Sequence, residues 1–588
     1  MKYNLGNLSG TPEKSRKNLW RPLGKLLDMM AEERKTLMLA LAAILLNSGL
    51  NLLAPLLIGH AIDKYVQTKQ YHGLLIYSAI LLSMYLTALA TGYLQTKLMG
   101  GLGQRMLFKL RNLIFNKLQE LPVAFFNENK AGDLISRINN DTDKLNQFFS
   151  QSLVQFMGGI FIMTGAGIFL LSINLPLGAA ALTPALLILL FIRLVSPWVR
   201  KKNAINLKSV GNMSAEIQES LNNFKVVVAF NRRDYFRERF DQVNRENFST
   251  AIGAGLSNNL FMPVFGFFSH TGQLIVLAFG IYLVSKGDFT LGLLISFLTY
   301  INSFYNPLRQ LAALWTNFQV ALAGWDRISQ ILSLESDLRI MEDSHPPLSC
   351  ARIVFRNVTF AYPGGKEVLQ HVNFELEQGK TYAFVGPTGG GKTTTASLIA
   401  RLYDPTRGKI FLDGRDLKTY QANERTGKIG FILQEPFLFT GTVKDNILYG
   451  NELYQNGSNE ELSLMIRESG LEGLLGRFDE GLDTPVMNGG DSISLGQKQL
   501  IAFIRVVLRK PEVLILDEAT ANIDTITESL LEDILRRLPK TTTRIIIAHR
   551  LNTIENADEI FFVNSNRVIL AGSLENAVNL LLHEKTQS

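Results

Sequence analysis

The 588-residue chain has a single cysteine, Cys350, which excludes a disulfide-stapled secreted domain and any dependence on an oxidising compartment. Charge is also scarce. Asp, Glu, Lys and Arg make up 19% of the residues, against ~25% in ordinary soluble domains. Phenylalanine is abundant, with 36 copies, and the apolar share of 47% excludes a disordered or collagen-like chain. A mean hydropathy of +0.12 is high for a soluble protein and low for one wholly in a membrane. One membrane half joined to one soluble half is therefore expected, and the length suits two large units. The net charge of +7 fits either nucleic acid or an anionic membrane surface, so its distribution must decide.

No Asp, Glu, Lys or Arg occurs from Leu145 to Ile192, a length that suits two spans with a break at Ser172–Pro176. Further uncharged runs cover Thr36–Ile62, Leu74–Thr96, Asn247–Ser285 and Phe289–Leu308. Together they predict six transmembrane helices. The connections after the second and fourth spans are long and basic, with Lys97, Arg105, Lys109 and Arg111 in one and Arg200, Lys201, Lys202 and Arg232 in the other. The remaining loops are short and hold only Lys64, Lys69 and Lys286. Positive charge is retained on the cytoplasmic side, which puts both long connections and both termini there. The basic excess thus belongs to membrane topology, and nucleic-acid binding loses its support.

Leu98, Leu102, Met106, Leu110, Ile114 and Leu118 keep helical spacing beyond the second span, so the helix is expected to continue about 35 Å out of the bilayer. Ala215–Phe240 is expected to do the same before the fifth span. Leu19, Trp20, Leu23 and Leu26, interleaved with Arg21 and Lys25, predict an interfacial amphipathic helix, with no cleavage site of a signal peptide. The expected division is an N-terminal segment 1–35, a membrane domain 36–332, a linker 333–350 and a soluble α/β domain 351–588. The linker is marked by acidic residues and Pro346-Pro347; beyond it, short β-rich runs alternate with helices around a largely parallel sheet.

Gly386-Pro387-Thr388-Gly389-Gly390-Gly391-Lys392-Thr393 follows one such run, Tyr382–Val385, and has the P-loop pattern. Glycines let the backbone N–H groups turn inward around phosphate oxygens. Lys392 would neutralise the outer phosphates, and the Thr393 hydroxyl would sit on Mg²⁺. Val513–Leu516 leads into Asp517, placed to hold Mg²⁺, and Glu518, placed to polarise an attacking water. Gln434 and His549 each end an apolar run, and strands of a parallel sheet end on one side.

These residues, in this order, resemble the ATP-binding cassette (ABC) superfamily, specifically bacterial half-transporters of the multidrug-exporter type. The resemblance spans nearly the whole chain. It implies that Tyr362 stacks on adenine, and that Gly386–Thr393 with Thr394 form the Walker A site. By the same resemblance Gln434 is the Q-loop glutamine, Asp517 and Glu518 are Walker B, Asp524 closes the D-loop and His549 is the switch histidine. ATP and Mg²⁺ are the implied cofactors, with Gln434 among the metal ligands. Two cassettes would close head to tail, each site taking Ser494, Gly496 and Gln497 from the other chain. Phe125–Gly132 and Lys208–Asn212 look like the family's coupling segments.

The signature departs from the family pattern. It reads Ile493-Ser494-Leu495-Gly496-Gln497, with leucine where glycine is usual, and Val486–Asp491 is also atypical. Leucine adds bulk and restricts φ where a γ-phosphate must approach. A complete hydrolytic set beside an altered signature looks like one member of a heterodimeric exporter, with a tolerant homodimer as the alternative. The expected cargo is hydrophobic or amphipathic, since the spans hold no cluster of charge. A lipid or lipid-linked glycan flippase and an ATP-binding regulatory subunit are the other readings. Asn47, Asn51, His270, Gln273 and Asn302 are candidate cavity residues, whereas Phe261, Phe265 and Phe268 are better explained by helix packing.

Overall fold

A computed structural model describes residues 3–5, 31–336, 338, 340–341, 351–451, 459–487, 493–517, 525–547, 554, 556–564 and 566–584. Glu518, Asp524 and His549, most of the linker, and the expected interfacial helix lie outside the described residues. The chain divides into two compact units. One comprises Ser9–Lys117 and Gly132–Leu332; the other comprises Met1–Leu8, Leu118–Ala131 and Ser333–Ser588.

The first unit is helical. Its long helices are α1 (Arg34–Ala61), α2 (Tyr71–Glu120), α4 (Ala131–Ile173, with short π-helical turns), α5 (Leu175–Asn222), α7 (Arg233–Asn259), α8 (Phe261–Ser285) and α9 (Leu291–Leu332). Among the described residues, five helical stretches, α1 extended to Val66, α2, α4, α5 and α7 with α8, are long and apolar enough to cross a membrane. The sixth, α9, is less apolar because Tyr300, Asn302, Tyr305 and Asn306 interrupt the run that begins at Leu291. The break between the third and fourth spans falls at Asn174, whose side chain accepts from the Leu177 N–H at 3.0 Å and so caps α5.

Several polar groups in this unit close seams between helices. Ser296 donates to the Pro55 carbonyl at 2.7 Å, and the Tyr300 hydroxyl donates to the Leu52 carbonyl at 2.6 Å. At the end of the same seam, Asp63 accepts from the Thr290 hydroxyl at 2.5 Å and the Gly292 N–H at 2.8 Å, capping the start of α9. Gly59 and Gly292 let the two backbones touch, since a β-carbon on either would overlap the other residue's carbonyl oxygen. Phe265 is buried in the bundle core with Phe261 and Phe268 packed against it, which is the packing role expected of them.

One sequence expectation fails here. Lys208–Asn212 lies inside the continuous helix α5, and the second leg turns later, through the short helix α6 (Phe224–Ala229). Helical spacing continues through Asn222, and Asn223, with φ −101°, is where the backbone leaves the helix.

In the second unit, Leu118–Ala131 contributes the short helix α3 (Val123–Glu128). The rest is an α/β domain with two principal sheets. A six-stranded sheet has the order β12-β11-β3-β10-β9-β6, with β3 (Thr381–Val385), β6 (Ile429–Ile432), β9 (Val513–Asp517), β10 (Thr543–Ile547) and β11 (Glu559–Asn564) mutually parallel and β12 (Arg567–Leu570) antiparallel to β11. β3 and β9 are buried at every position, which is why they read as continuous apolar runs. The second sheet is antiparallel, in the order β2-β1-β4-β5 with β4 (Arg407–Leu412) and β5 (Arg415–Asp416), and was not foreseen as separate. Its β1 (Ile353–Ala361) and β2 (Glu367–Leu376) mix buried and exposed positions, as one-sided strands do.

Candidate nucleotide site

Parallel pairing brings the ends of β3, β6 and β9 to one edge. Ile547 of β10 pairs with both Phe384 and Asp517, and Ile432 of β6 pairs with Leu516. Asp517 therefore emerges two strands from the loop that follows Val385, and Gln434 emerges one strand further. Strand ends of a doubly wound sheet are where such folds bind ligands.

The loop after β3 is a glycine cradle. Gly386, Gly389 and Gly391 have φ of +142°, +84° and +110°. A β-carbon on Gly386 or Gly390 would also overlap the Val563 carbonyl of the neighbouring strand. Lys392, the first residue of the helix α10 (Lys392–Ile399), is buried, and its ammonium donates to the Gly386 carbonyl at 2.8 Å and the Pro387 carbonyl at 3.1 Å. A buried ammonium must keep such partners. The loop is thus wrapped around a fixed positive charge, at the positive end of a helix.

Thr393, the next residue, donates from its hydroxyl to Asp517 Oδ1 at 3.3 Å, and Asp517 is buried. A hydroxyl beside a buried carboxylate, with the Gln434 amide nearby in the sheet order, is an all-oxygen donor set of the kind Mg²⁺ takes. The Tyr362 hydroxyl is 3.0 Å from the Thr394 hydroxyl, so the tyrosine expected on the base side reaches the phosphate-loop helix. Its ring stands edge-on to Phe360 and Tyr403, with centroids 5.0 and 5.2 Å away.

Ser494 caps the helix α11 (Leu495–Val507). Its hydroxyl oxygen accepts from the Gln497 N–H at 3.2 Å, while Gln497 Oε1 accepts from the Ser494 N–H at 3.0 Å. Ser494 Oγ keeps its own proton for donation. The Gln497 amide is engaged locally and also donates to the Arg477 carbonyl at 2.7 Å. Leu495 occupies the first helical position, 40% exposed, and is not among the described residues with positive φ. The expected restriction of φ therefore does not apply, because a right-handed helical start suits leucine. The bulk of its side chain remains.

One residue escaped the sequence reading. Tyr403 is buried, and its hydroxyl accepts from Asn127 Nδ2 of α3 at 2.7 Å. Burial pushes the Tyr403 phenol up, partly offset by the Asn127 donor. Its one signal was an aromatic residue in the polar turn after the phosphate-loop helix.

A family model for the ABC transporter transmembrane region matches residues 37–308, and one described as ABC transporter matches residues 369–521. The matches fall on the helical unit and on the domain that holds the glycine cradle. The chain belongs to the ABC transporter family. It is 32% identical over 94% of its length to the uncharacterized ABC transporter ATP-binding protein YfiC of Bacillus subtilis, covering 91% of that protein. It is 32% identical to the fatty acid ABC transporter ATP-binding/permease protein of Mycobacterium bovis, over 84% of this chain and 78% of that one. With the probable multidrug resistance ABC transporter ATP-binding/permease protein YheH of Bacillus subtilis it shares 29% identity, over 87% and 74%. The chain is a bacterial-exporter-type half-transporter: a multi-pass membrane protein that binds ATP and couples its hydrolysis to transport, and an architecture that works as a dimer.

Proposed function

We propose that this half-transporter exports hydrophobic or amphipathic compounds across the cytoplasmic membrane, with both termini and the cassette on the cytoplasmic side. The membrane domain is taken as 36–332 and the cassette as 351–588, joined by the linker 333–350. The observation that carries the catalytic half of this reading is the Thr393–Asp517 contact beside a lysine-filled glycine cradle. Bound Mg-ATP would supply the phosphoryl group and the metal charge. Gly386, Pro387, Thr388, Gly389, Gly390 and Gly391 would present their backbone to phosphate, and Lys392 would hold its positive charge there. Thr393, Asp517 and Gln434 would hold the metal; Thr394 and Tyr362 would orient the nucleotide. Glu518 would take a proton from water as general base, and His549 would orient the transferred group. Ser494 and Gly496 would serve a site completed by the other chain, with Gln497 and Asp524 shaping that junction.

A heterodimer is the favoured assembly. Leu495 leaves the helix start geometrically intact but crowds the space where a γ-phosphate would come, so this signature suits a slow site, while Lys392, Asp517, Glu518 and His549 meet an intact signature elsewhere. A second reading, a lipid flippase, draws on the name of another relative, the ATP-dependent lipid A-core flippase of Syntrophus aciditrophicus, 30% identical over 94% of this chain and 91% of that one. Turnover and native mass of the chain purified alone in nanodiscs, beside Glu518→Gln, test the assignment. A dimer with Glu518-dependent turnover establishes a homodimer. An inert chain rescued by co-expression with another half-transporter establishes the heterodimer, and turnover untouched by Glu518→Gln overturns the general-base assignment.

A further inference from the structure

A short segment is held in place only where its apolar and backbone polar groups find partners. Here Tyr3 and Leu5 are 0% and 1% exposed. What buries them is the leg-tip helix α3 and the residue that ends it. Asn129 Oδ1 accepts from the Leu5 N–H at 3.0 Å, and Asn129 Nδ2 donates to the Tyr3 carbonyl at 3.0 Å and the Phe125 carbonyl at 2.7 Å. One carboxamide thus pairs with a donor and an acceptor two residues apart, as a neighbouring strand would. The Tyr3 ring meets Phe125 edge-on at 6.4 Å, and its hydroxyl donates to the Glu335 carbonyl, just beyond α9, at 3.3 Å.

Three segments far apart in sequence are therefore fastened together: residues 3–5, the leg tip 123–129 and the start of the linker at Glu335. On the cassette side, Asn127 of the same tip reaches Tyr403, whose ring lies against Tyr362. The tip is thus held at Asn129 and at Asn127, within one compact unit. A lever transmits displacement only if its end cannot slip, and α3 alone, six residues long, is too short to hold its own geometry.

We infer that Tyr3 and Asn129 are positioning residues, and that the N-terminal strap keeps the leg tip in register with the cassette so that ATP turnover moves the membrane half. Only the transport arm of its test rests on the export reading above.

The test uses the full chain in whichever assembly turns over ATP, alone or co-expressed with its partner half-transporter, in nanodiscs and proteoliposomes, as Tyr3→Ala, Asn129→Ala and Tyr3→Phe. Amide exchange over residues 118–131 should quicken about fivefold in the two alanine variants, the worth of one net hydrogen bond, with the cassette strands unchanged. Tyr3→Phe, which keeps the buried ring, should shift exchange less. With Hoechst 33342 as the transport probe, dye moved per ATP hydrolysed should fall by a similar factor while the KM for ATP holds. Unchanged exchange at the tip overturns the proposal, as does loss of protection throughout the cassette, which would make the strap a folding element. If the unaltered transporter moves no dye, export of this probe fails, and the exchange result still decides the strap.

Discussion

The cassette and the helical bundle use polar side chains for opposite ends. In the cassette, Lys392, Thr393 and Asp517 converge on one sheet edge, and the loop carbonyls that hold Lys392 belong to a site built to receive something else. In the bundle, Ser296, Tyr300 and Asp63 are consumed by the neighbouring helix, each closing onto a backbone group. His270, Gln273 and Asn302 form a chain as well, at 3.2 and 2.6 Å, and Asn47 donates to the Ala88 carbonyl at 2.8 Å. Where water is absent, a polar side chain must find a partner in protein. Polarity within the spans is therefore weak evidence of a substrate site, whereas polarity at the strand ends is strong evidence of a nucleotide site.

That contrast can be broken at either end. The largest effect is expected from Lys392→Ala, which removes the charge from the cradle: ATP turnover should fall at least ~100-fold, read by phosphate release, with the cassette still folded. Gly292→Ala should act through packing, forcing α1 and α9 apart and destabilising the bundle by about 1–3 kcal/mol in a thermal-shift assay. ATP binding to the cassette should be unaffected by it. A smaller gain is expected from Leu495→Gly. If side-chain bulk is all that separates this signature from the usual one, turnover at the site it serves should rise by about tenfold. No rise would move the defect to the atypical residues before it. Smallest is Tyr403→Phe, which deletes one hydrogen bond worth ~1 kcal/mol and should weaken coupling a few-fold without changing ATP affinity. A large loss of ATP binding in that variant would mean that Tyr403 supports Tyr362 rather than the leg tip.

Legibility in the sequence follows the same division. Gly386–Thr393 could be recognised because phosphate binding needs glycines, lysine and threonine in a contiguous order, and β3 and β9 because full burial leaves an unbroken apolar run. The helices could be read from uncharged length alone. The turn of the second leg could not, since Lys208–Asn212 keeps helical spacing and only the conformation of Asn223 shows where α5 stops. The separate antiparallel sheet was equally hidden, because strand partners are not written in a strand's own residues.

By itself, then, the sequence determined the membrane and cassette halves, the phosphate loop with its Asp517 partner, and an altered signature at Leu495. All of these are local patterns whose chemistry acts over a few residues or one helical period. Tertiary structure decided that Leu495 sits at an ordinary helix start, that Tyr403 meets Asn127, and that Tyr3 and Leu5 are buried against Asn129. Those contacts join residues more than a hundred positions apart. No spacing rule reaches so far, because only the packed chain brings such groups within hydrogen-bonding distance.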